Sequence, residues 1–239
     1  MDLNYYTDFK DYAVKHMGIS SMQMHQWEKL QETLYNNVNV YGSVTPMILE
    51  ERELRVTQMS VFDRLMMDRI LWLAGPVNDR MSIVVQAQLL FLDNNDNSDI
   101  TFYVDSPGGS VKSGLSIVDT MNYISSDIMT VNSGMAASMG SILLGSGTKG
   151  KRYSLPSSRV MLHQVSAGAQ GNIQDMEITL AETRKYNEIL FGMLGKYTDK
   201  DPATVLNDTN RDLWLTAEEA KEYGIIDDII VNKKLKTKK

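Results

Sequence analysis

Ser138 and His163 stand out among the 239 residues of this chain for the positions they occupy. Ser138 lies where the β-type run Ile128-Met129-Thr130-Val131-Asn132 gives way to small residues, and the pattern predicts a helix that starts near Ala136. A hydroxyl at a helix N-terminus meets free backbone N–H groups and the positive end of the helix dipole, and both favour developing negative charge. His163 closes a second apolar run, Val160-Met161-Leu162, and is the single histidine after His25. An imidazole at a strand tip is held by the sheet, as a general base must be to take a proton from a serine. Taken alone, a serine at a helix start is most often a cap. Taken together, the two residues read as nucleophile and base. The third member of such a set is an acid that orients the imidazole. Asp212, just ahead of Leu213-Trp214-Leu215, is the first candidate, with Asp208 close by as the alternative. Upstream, Asp105-Ser106-Pro107-Gly108-Gly109-Ser110 follows the strand-like run 100–103, and its glycines let backbone N–H groups approach a substrate as an oxyanion hole. This turn lacks both the Gly-Lys-Ser/Thr ending and the G-x-G-x-x-G spacing of phosphate-binding loops.

The elements that must position these groups follow from the apolar pattern. From Val44 onward it predicts strands over 70–73, 100–104, 128–131 and 160–162, and helices over 61–67, 81–93, 111–124 and 136–144. Short apolar runs without alternation suit buried parallel strands, and their interleaving with helices gives an α/β class. The candidate groups then fall at strand ends, where α/β sheets place their sites. Gly168-Ala169-Gln170-Gly171 reads as flexible or edge-strand backbone. A long helix is predicted after it, over about 171–197. Its apolar residues Ile173, Met176, Ile178, Leu180, Ile189, Leu190, Met193 and Leu194 spread round more than one face, so burial on two sides is expected. Residues 1–42 read as a separate helical hairpin, with Phe9, Tyr12, Ala13, His16 and Met17 on one helix and Met24, Trp27, Leu30 and Leu34 on the next. The basic run 233–239 reads as a solvated tail.

Composition narrows the classes. Net charge is −6 and the pI is near 5.1, which gives no footprint for nucleic acid. With no cysteine, disulfides, thiolate metal sites and a cysteine nucleophile are excluded. His16 and His25 have no companion ligand cluster, so no metal site is expected. No apolar stretch approaches the ~20 residues of a membrane span, and the N-terminus lacks a basic-then-apolar signal, so the default expectation is the cytoplasm.

Seven segments together carry a family resemblance. They are Thr45-Pro46-Met47-Ile48-Leu49-Glu50, Leu73-Ala74-Gly75-Pro76-Val77, Asp105-Ser106-Pro107-Gly108-Gly109, Gly134-Met135-Ala136-Ala137-Ser138-Met139-Gly140, Lys149-Gly150-Lys151-Arg152-Tyr153, Met161-Leu162-His163-Gln164, and the run from Ala217 through Tyr223-Gly224-Ile225-Ile226-Asp227. In this order and spacing the chain resembles the ClpP family, the proteolytic subunits of the Clp protease. The resemblance implies the ClpP/crotonase-like fold of repeated β-β-α units, with 43–232 as the peptidase domain and the long helix as a protruding handle. It also implies a Ser138, His163 and Asp212 triad, an oxyanion hole from the Gly109 and Met139 amides, and substrate contacts along Gly108, Gly168 and Gly171. The implied enzyme is a serine endopeptidase without cofactor. Its implied assembly is two stacked seven-membered rings of one subunit, fed with unfolded protein by a hexameric AAA+ unfoldase that spends the ATP. The family's fold is shared with crotonase-type acyl-CoA enzymes, which need neither the serine nor the histidine; a non-catalytic ring subunit would lack part of the triad. Met135 replaces a usual glutamine, Val165 a usual proline, and Asn210 an acid found in many relatives. Residues 1–42 exceed the family's usual leader; removal near Gly42 to Val44 is the first expectation for them, with a retained helical pair whose contact face carries Trp27 and Leu30 as the alternative.

Overall fold

The computed structural model describes residues 47–52, 55–168 and 170–231. The helical hairpin expected over 1–42 and the tail over 233–239 lie outside the described residues. A hairpin comes first: β1 (Met47–Arg52) pairs antiparallel with β2 (Arg55–Ser60), Met47 opposite Ser60. Ser60 then caps α1 (Val61–Met67) through a reciprocal pair of bonds, its hydroxyl accepting from the Asp63 N–H and its own N–H donating to the Asp63 carboxylate.

The apolar runs become a mostly parallel sheet. Along its first two strands one face is buried, and on the other face Trp72 is 43% exposed and stacks on the half-buried Tyr103. β3 (Ile70–Ala74), β4 (Ile100–Ser106) and β5 (Ile128–Ala137) lie side by side, with Ile70 opposite Thr101 and Ile100 opposite Ile128. β5 is long enough to serve two neighbours on its far edge. Its first half pairs parallel with β6 (Arg152–Ser154) and its second half with β7 (Arg159–Leu162). β9 (Asp228–Ile229) extends the sheet beyond β6, and β8 (Leu213–Leu215) adds to β7 as an antiparallel strand. Leu71, Leu73, Ile100, Phe102, Val104, Ile128 and Val160 are buried at its centre.

Helices α2 (Asp79–Asn95) and α3 (Val111–Tyr123) pack on this sheet and on each other. α4 (Met139–Gly145) is buried at all seven positions. An apolar helix with no polar face belongs inside, and its small residues let it sit close. A β-carbon at Gly140 would lie 2.8 Å from the Ser106 carbonyl oxygen. α5 (Ile173–Thr198) is long, and α6 (Pro202–Asp208) and α7 (Ala217–Tyr223) complete the described chain. In α5 burial is confined to Leu190, Phe191, Leu194, Gly195 and Thr198, while Ile173, Ile178, Leu180 and Ile189 are exposed. Within one chain the helix is therefore buried on a single face over its last turns, and the expectation of burial on two sides is not met there.

Two boundaries differ from the sequence reading. Ala136 and Ala137 belong to β5 rather than to a helix, because they pair with Val160 and Met161 of β7. The helix begins at Met139. Residues 164–168 form no strand, and of the Gly-rich segment the described residues Gly168, Gln170 and Gly171 belong to none either.

Candidate active site

Ser138 occupies the turn between β5 and α4 with φ 54° and ψ −122°. Such a conformation costs a residue with a side chain roughly 1–3 kcal/mol and persists only where neighbours hold it. Here the neighbours are specific. The Ser138 N–H donates to the Met161 carbonyl at 2.9 Å, and the Ser138 carbonyl accepts from the Ser141 N–H at 3.0 Å and the Ser141 hydroxyl at 2.6 Å. Its side chain makes no helix-capping bond. The hydroxyl instead faces His163, with Oγ 2.8 Å from Nε2. The Ser138–Met161 bond prolongs the ladder in which Ala137 stands opposite Met161. Serine and histidine thus project from the C-terminal ends of adjacent parallel strands, and the sheet itself sets their separation.

The acid arrives by register. β8 runs antiparallel to β7 with Leu213 opposite Leu162, so the next step along the pair sets Asp212 opposite His163. Asp212 Oδ1 lies 3.3 Å from His163 Nδ1. With a carboxylate at Nδ1 and a hydroxyl at Nε2, the neutral ring is favoured with its proton on Nδ1. Asp208, the alternative acid, is engaged elsewhere: its carboxylate accepts from the Tyr223 hydroxyl at 3.1 Å.

The glycine turn closes the other side. Gly108 and Gly109 have φ of 91° and 146°, which glycine alone adopts without strain. A β-carbon on Gly108 would lie 2.6 Å from the Ser138 Cβ and 2.9 Å from the Met139 nitrogen, so the turn rests directly on the serine. The strand-end residue Val77 straps it in place. The Val77 N–H donates to the Gly108 carbonyl at 2.8 Å, and its carbonyl accepts from the Ser110 N–H at 2.9 Å. The Ser106 hydroxyl donates to the Gly75 carbonyl and accepts from the Gly108 N–H. Neither the Gly109 nor the Met139 N–H has an acceptor among the described residues. Sequence reasoning missed this strap; the Gly75-Pro76-Val77 turn was its only visible trace.

A cavity of about 180 Å³ brings these parts together. Ser138, His163, Gly109 and Met139 line it beside Ile142, Leu162, Leu190 and Leu194. The apolar residues at the base of α5 were expected to pack but not to line the site; their i, i+4 spacing carried no hint of it. A polar recess of about 550 Å³ adjoins His163 on the side of Thr209, Asn210, Arg211 and Asp212. Gly168 and Gly171 do not line either space: a β-carbon on Gly168 would meet nothing within 4 Å, and Gly171, at φ 134°, precedes the Asn172 cap of α5. A hydroxyl with a base at 2.8 Å, an acid behind the base and two unpaired N–H groups across an apolar cleft can carry out acyl transfer.

The family model described as Clp protease matches residues 52–233. The chain is 48% identical over 227 residues to an "ATP-dependent Clp protease proteolytic subunit" of Bacteroides fragilis, covering 95% of this chain and 99% of the relative. It is equally similar to the protein of that name from Bacteroides thetaiotaomicron. It is 45% identical over 224 residues to the one from Porphyromonas gingivalis, covering 93% of this chain and 97% of the relative. A match that spans the whole sheet, the glycine turn and both flanks of the serine cleft leaves one conclusion: the chain belongs to the Clp protease family.

Proposed function

We propose that this chain is the serine endopeptidase subunit of a Clp protease, with Ser138 as nucleophile, His163 as general base and Asp212 as the acid that orients it. The contact of 2.8 Å between Ser138 Oγ and His163 Nε2, backed by Asp212, is the observation that carries the reading. In the reaction Ser138 Oγ bonds to the scissile carbonyl carbon while its proton passes to His163 Nε2. The Gly109 and Met139 N–H groups stabilise the resulting oxyanion. Protonated His163 then gives its proton to the departing amine as the C–N bond breaks, and water releases the acyl group by the same steps in reverse. Asp212 holds the imidazole's tautomer and favours its cationic form. These steps use protein groups and water, with no metal or organic cofactor.

An extended peptide fits beside residues 166–168, whose backbone is exposed and makes no hydrogen bond to other described residues. Strand addition there, next to Gly108 and on toward Gly168 and Gly171, presents successive peptide bonds to the serine. The apolar cavity beside Ser138 takes one side chain of moderate size. The relatives' name ties them to an ATP-dependent protease, and on this reading a hexameric AAA+ unfoldase unfolds and threads the substrate. The exposed apolar residues of α2 and of the first turns of α5 support assembly of the subunit into two stacked rings of seven around a chamber. Among the described residues no helix is long and apolar enough to cross a membrane.

A fluorophosphonate probe tests the site. Labelling of the assembled particle should map to Ser138 by peptide mass spectrometry. Ser138→Ala should neither label nor hydrolyse peptides, a loss on the order of a million-fold. Label on another residue, or substantial turnover by a clean Ser138→Ala preparation, rejects the assignment.

A further inference from the structure

His163 is the last residue before the chain leaves the sheet: β7 ends at Leu162 and residues 164–168 have no strand partner. Upstream, the imidazole inherits the rigidity of β7. Downstream, its backbone is fixed by whatever holds the following segment. Among residues 164–168 a single hydrogen bond to another described residue does this. The Val165 N–H donates to Asn187 Oδ1 at 2.8 Å. Val165 is half-buried against the core, and Gln164, Val165 and Ser166 all line the cavity that holds Ser138.

Asn187 itself sits at a mechanical boundary. One turn later α5 is buried in the body through Leu190, Phe191 and Leu194, and Leu190 and Leu194 line the same cavity. Earlier in the helix Ile173, Ile178 and Leu180 are exposed. Asn187 is therefore the polar contact at the point where α5 leaves the body, and it reaches a backbone two residues from the base. From this geometry we infer that Asn187 is a positioning residue for the reaction assigned above, acting through the Val165 N–H to hold the 163–166 backbone and with it the His163 imidazole against Ser138. The inference rests on the serine–histidine reading. It adds a link from the exit of α5 to the base: a shift of the helix at Asn187 is transmitted through one hydrogen bond to the segment carrying His163. An amide is suited to this place. It is uncharged, so its tolerance of partial burial is good, and its acceptor strength does not vary with pH.

The test compares rates of Ser138 labelling by the fluorophosphonate probe, and kcat and KM for a short peptide, in particles shown to be assembled by sedimentation. Asn187→Leu removes the acceptor and keeps the number and branching of the side-chain heavy atoms. It should slow labelling and lower kcat about three- to tenfold, the range expected for losing one net hydrogen bond. Asn187→Asp keeps an acceptor and should restore the rate to within about twofold of wild type. Val165→Pro removes the donor from the other side, while its ring fixes the local φ as the proline usual at this position in the family does. On that background Asn187→Leu should change the labelling rate less than about twofold, because the bond it deletes is already absent. A packing role without positioning would make Asn187→Leu cost as much on the Val165→Pro background as on wild type, and would leave Asn187→Asp no better than Asn187→Leu. Either of those results, or a wild-type labelling rate in assembled Asn187→Leu, overturns the inference. Should Asn187→Leu fail to assemble, Asn187→Ala with and without Val165→Pro decides: the alanine must slow labelling by itself and change it less than about twofold on the proline background, and equal losses on both backgrounds overturn the inference. A wild-type particle that labels at no serine would instead remove the nucleophile reading itself, and this inference with it.

Discussion

The φ of 54° at Ser138 puts a side chain where glycine is normally required, and three backbone-directed bonds, from Met161 and Ser141, hold it there. The strain has a chemical consequence. The turn aims Oγ at His163 and away from the helix N-terminus it would otherwise cap, and the Met139 N–H beside it has no acceptor among the described residues. Part of the stability of the fold is therefore given up to keep a hydroxyl and an amide unused by the rest of the protein. A comparison of two inactive variants isolates that cost. Ser138→Gly relieves roughly 1–3 kcal/mol of backbone strain, offset by about 0.4–1 kcal/mol of added freedom in the unfolded chain. Ser138→Ala removes the hydroxyl and keeps the strain. The glycine variant should therefore unfold at higher urea, by about 1 kcal/mol over the alanine variant. Equal midpoints, or a more stable alanine variant, would mean that the turn is relaxed. The sequence announced Ser138 and His163 through residue type and position. It did not announce the strain, because small residues such as Ala136 and Ala137 look helical until their pairing with β7 claims them for a strand.

Among the elements, the legible ones carried an apolar strand run or a helical period in their own residues. β3, β4, α1, α2 and α3 lie within a residue or two of their expected ends. β6, β8 and β9 hold three residues or fewer and carry no period, so nothing local could reveal them. Yet β8 is the element that delivers Asp212, and its position follows from pairing with β7 rather than from its own residues. β6 and β9, paired through their backbones, are also tied by a side-chain device. The Arg152 guanidinium, 4% exposed, makes two bonds to the Asp227 carboxylate at 2.9 and 2.6 Å and one to the Tyr197 carbonyl at 2.8 Å. The Asp227 carboxylate also accepts from the Gly150 and Arg152 N–H groups. Burial by itself would raise the Asp227 pKa, but the bonds from Arg152 and the Gly150 N–H outweigh it and hold the group below the ordinary carboxylate value. A depressed folded pKa stabilises the protein above the unfolded value of about 4 and loses that effect as pH falls through the folded value. Asp227→Asn should therefore cost about 3 kcal/mol near neutral pH, since it strands a buried guanidinium. The gap to wild type should close on acidification below about pH 4, read from urea midpoints on a Ser138→Ala background. A gap unchanged down to pH 3 would show that the pair's charge contributes nothing.

For the whole molecule, the question is what covers the apolar surface that one chain leaves open. On α5, Ile173 is 70% exposed and Ile178 68%, with Leu180 beside them, while α2 leaves Ile83, Val84, Leu90 and Phe91 exposed. So much uncovered apolar surface on two helices fits the proposed assembly of the subunit into rings. The two ends of α5 have different duties. Leu190 is buried in the body and lines the serine cavity, so a charge there would damage the protomer before it could report on assembly. Ile178 touches nothing that the catalytic reading uses, and a charge there tests assembly alone. Ile178→Glu also places a carboxylate one turn from Glu182 on the same face, adding local repulsion to the loss of apolar contact. If the first turns of α5 join the two rings, this variant should sediment as single rings or smaller species. Its far-ultraviolet circular dichroism should match wild type, because the residue is 68% exposed and not part of the buried core. Peptide hydrolysis should fall with the assembly, and recover in part at protein concentrations high enough to restore the larger particle. A variant that sediments as the wild type does at low concentration, with full activity, would place the contact between rings on some other surface, and the exposed face of α2 would be the next to test.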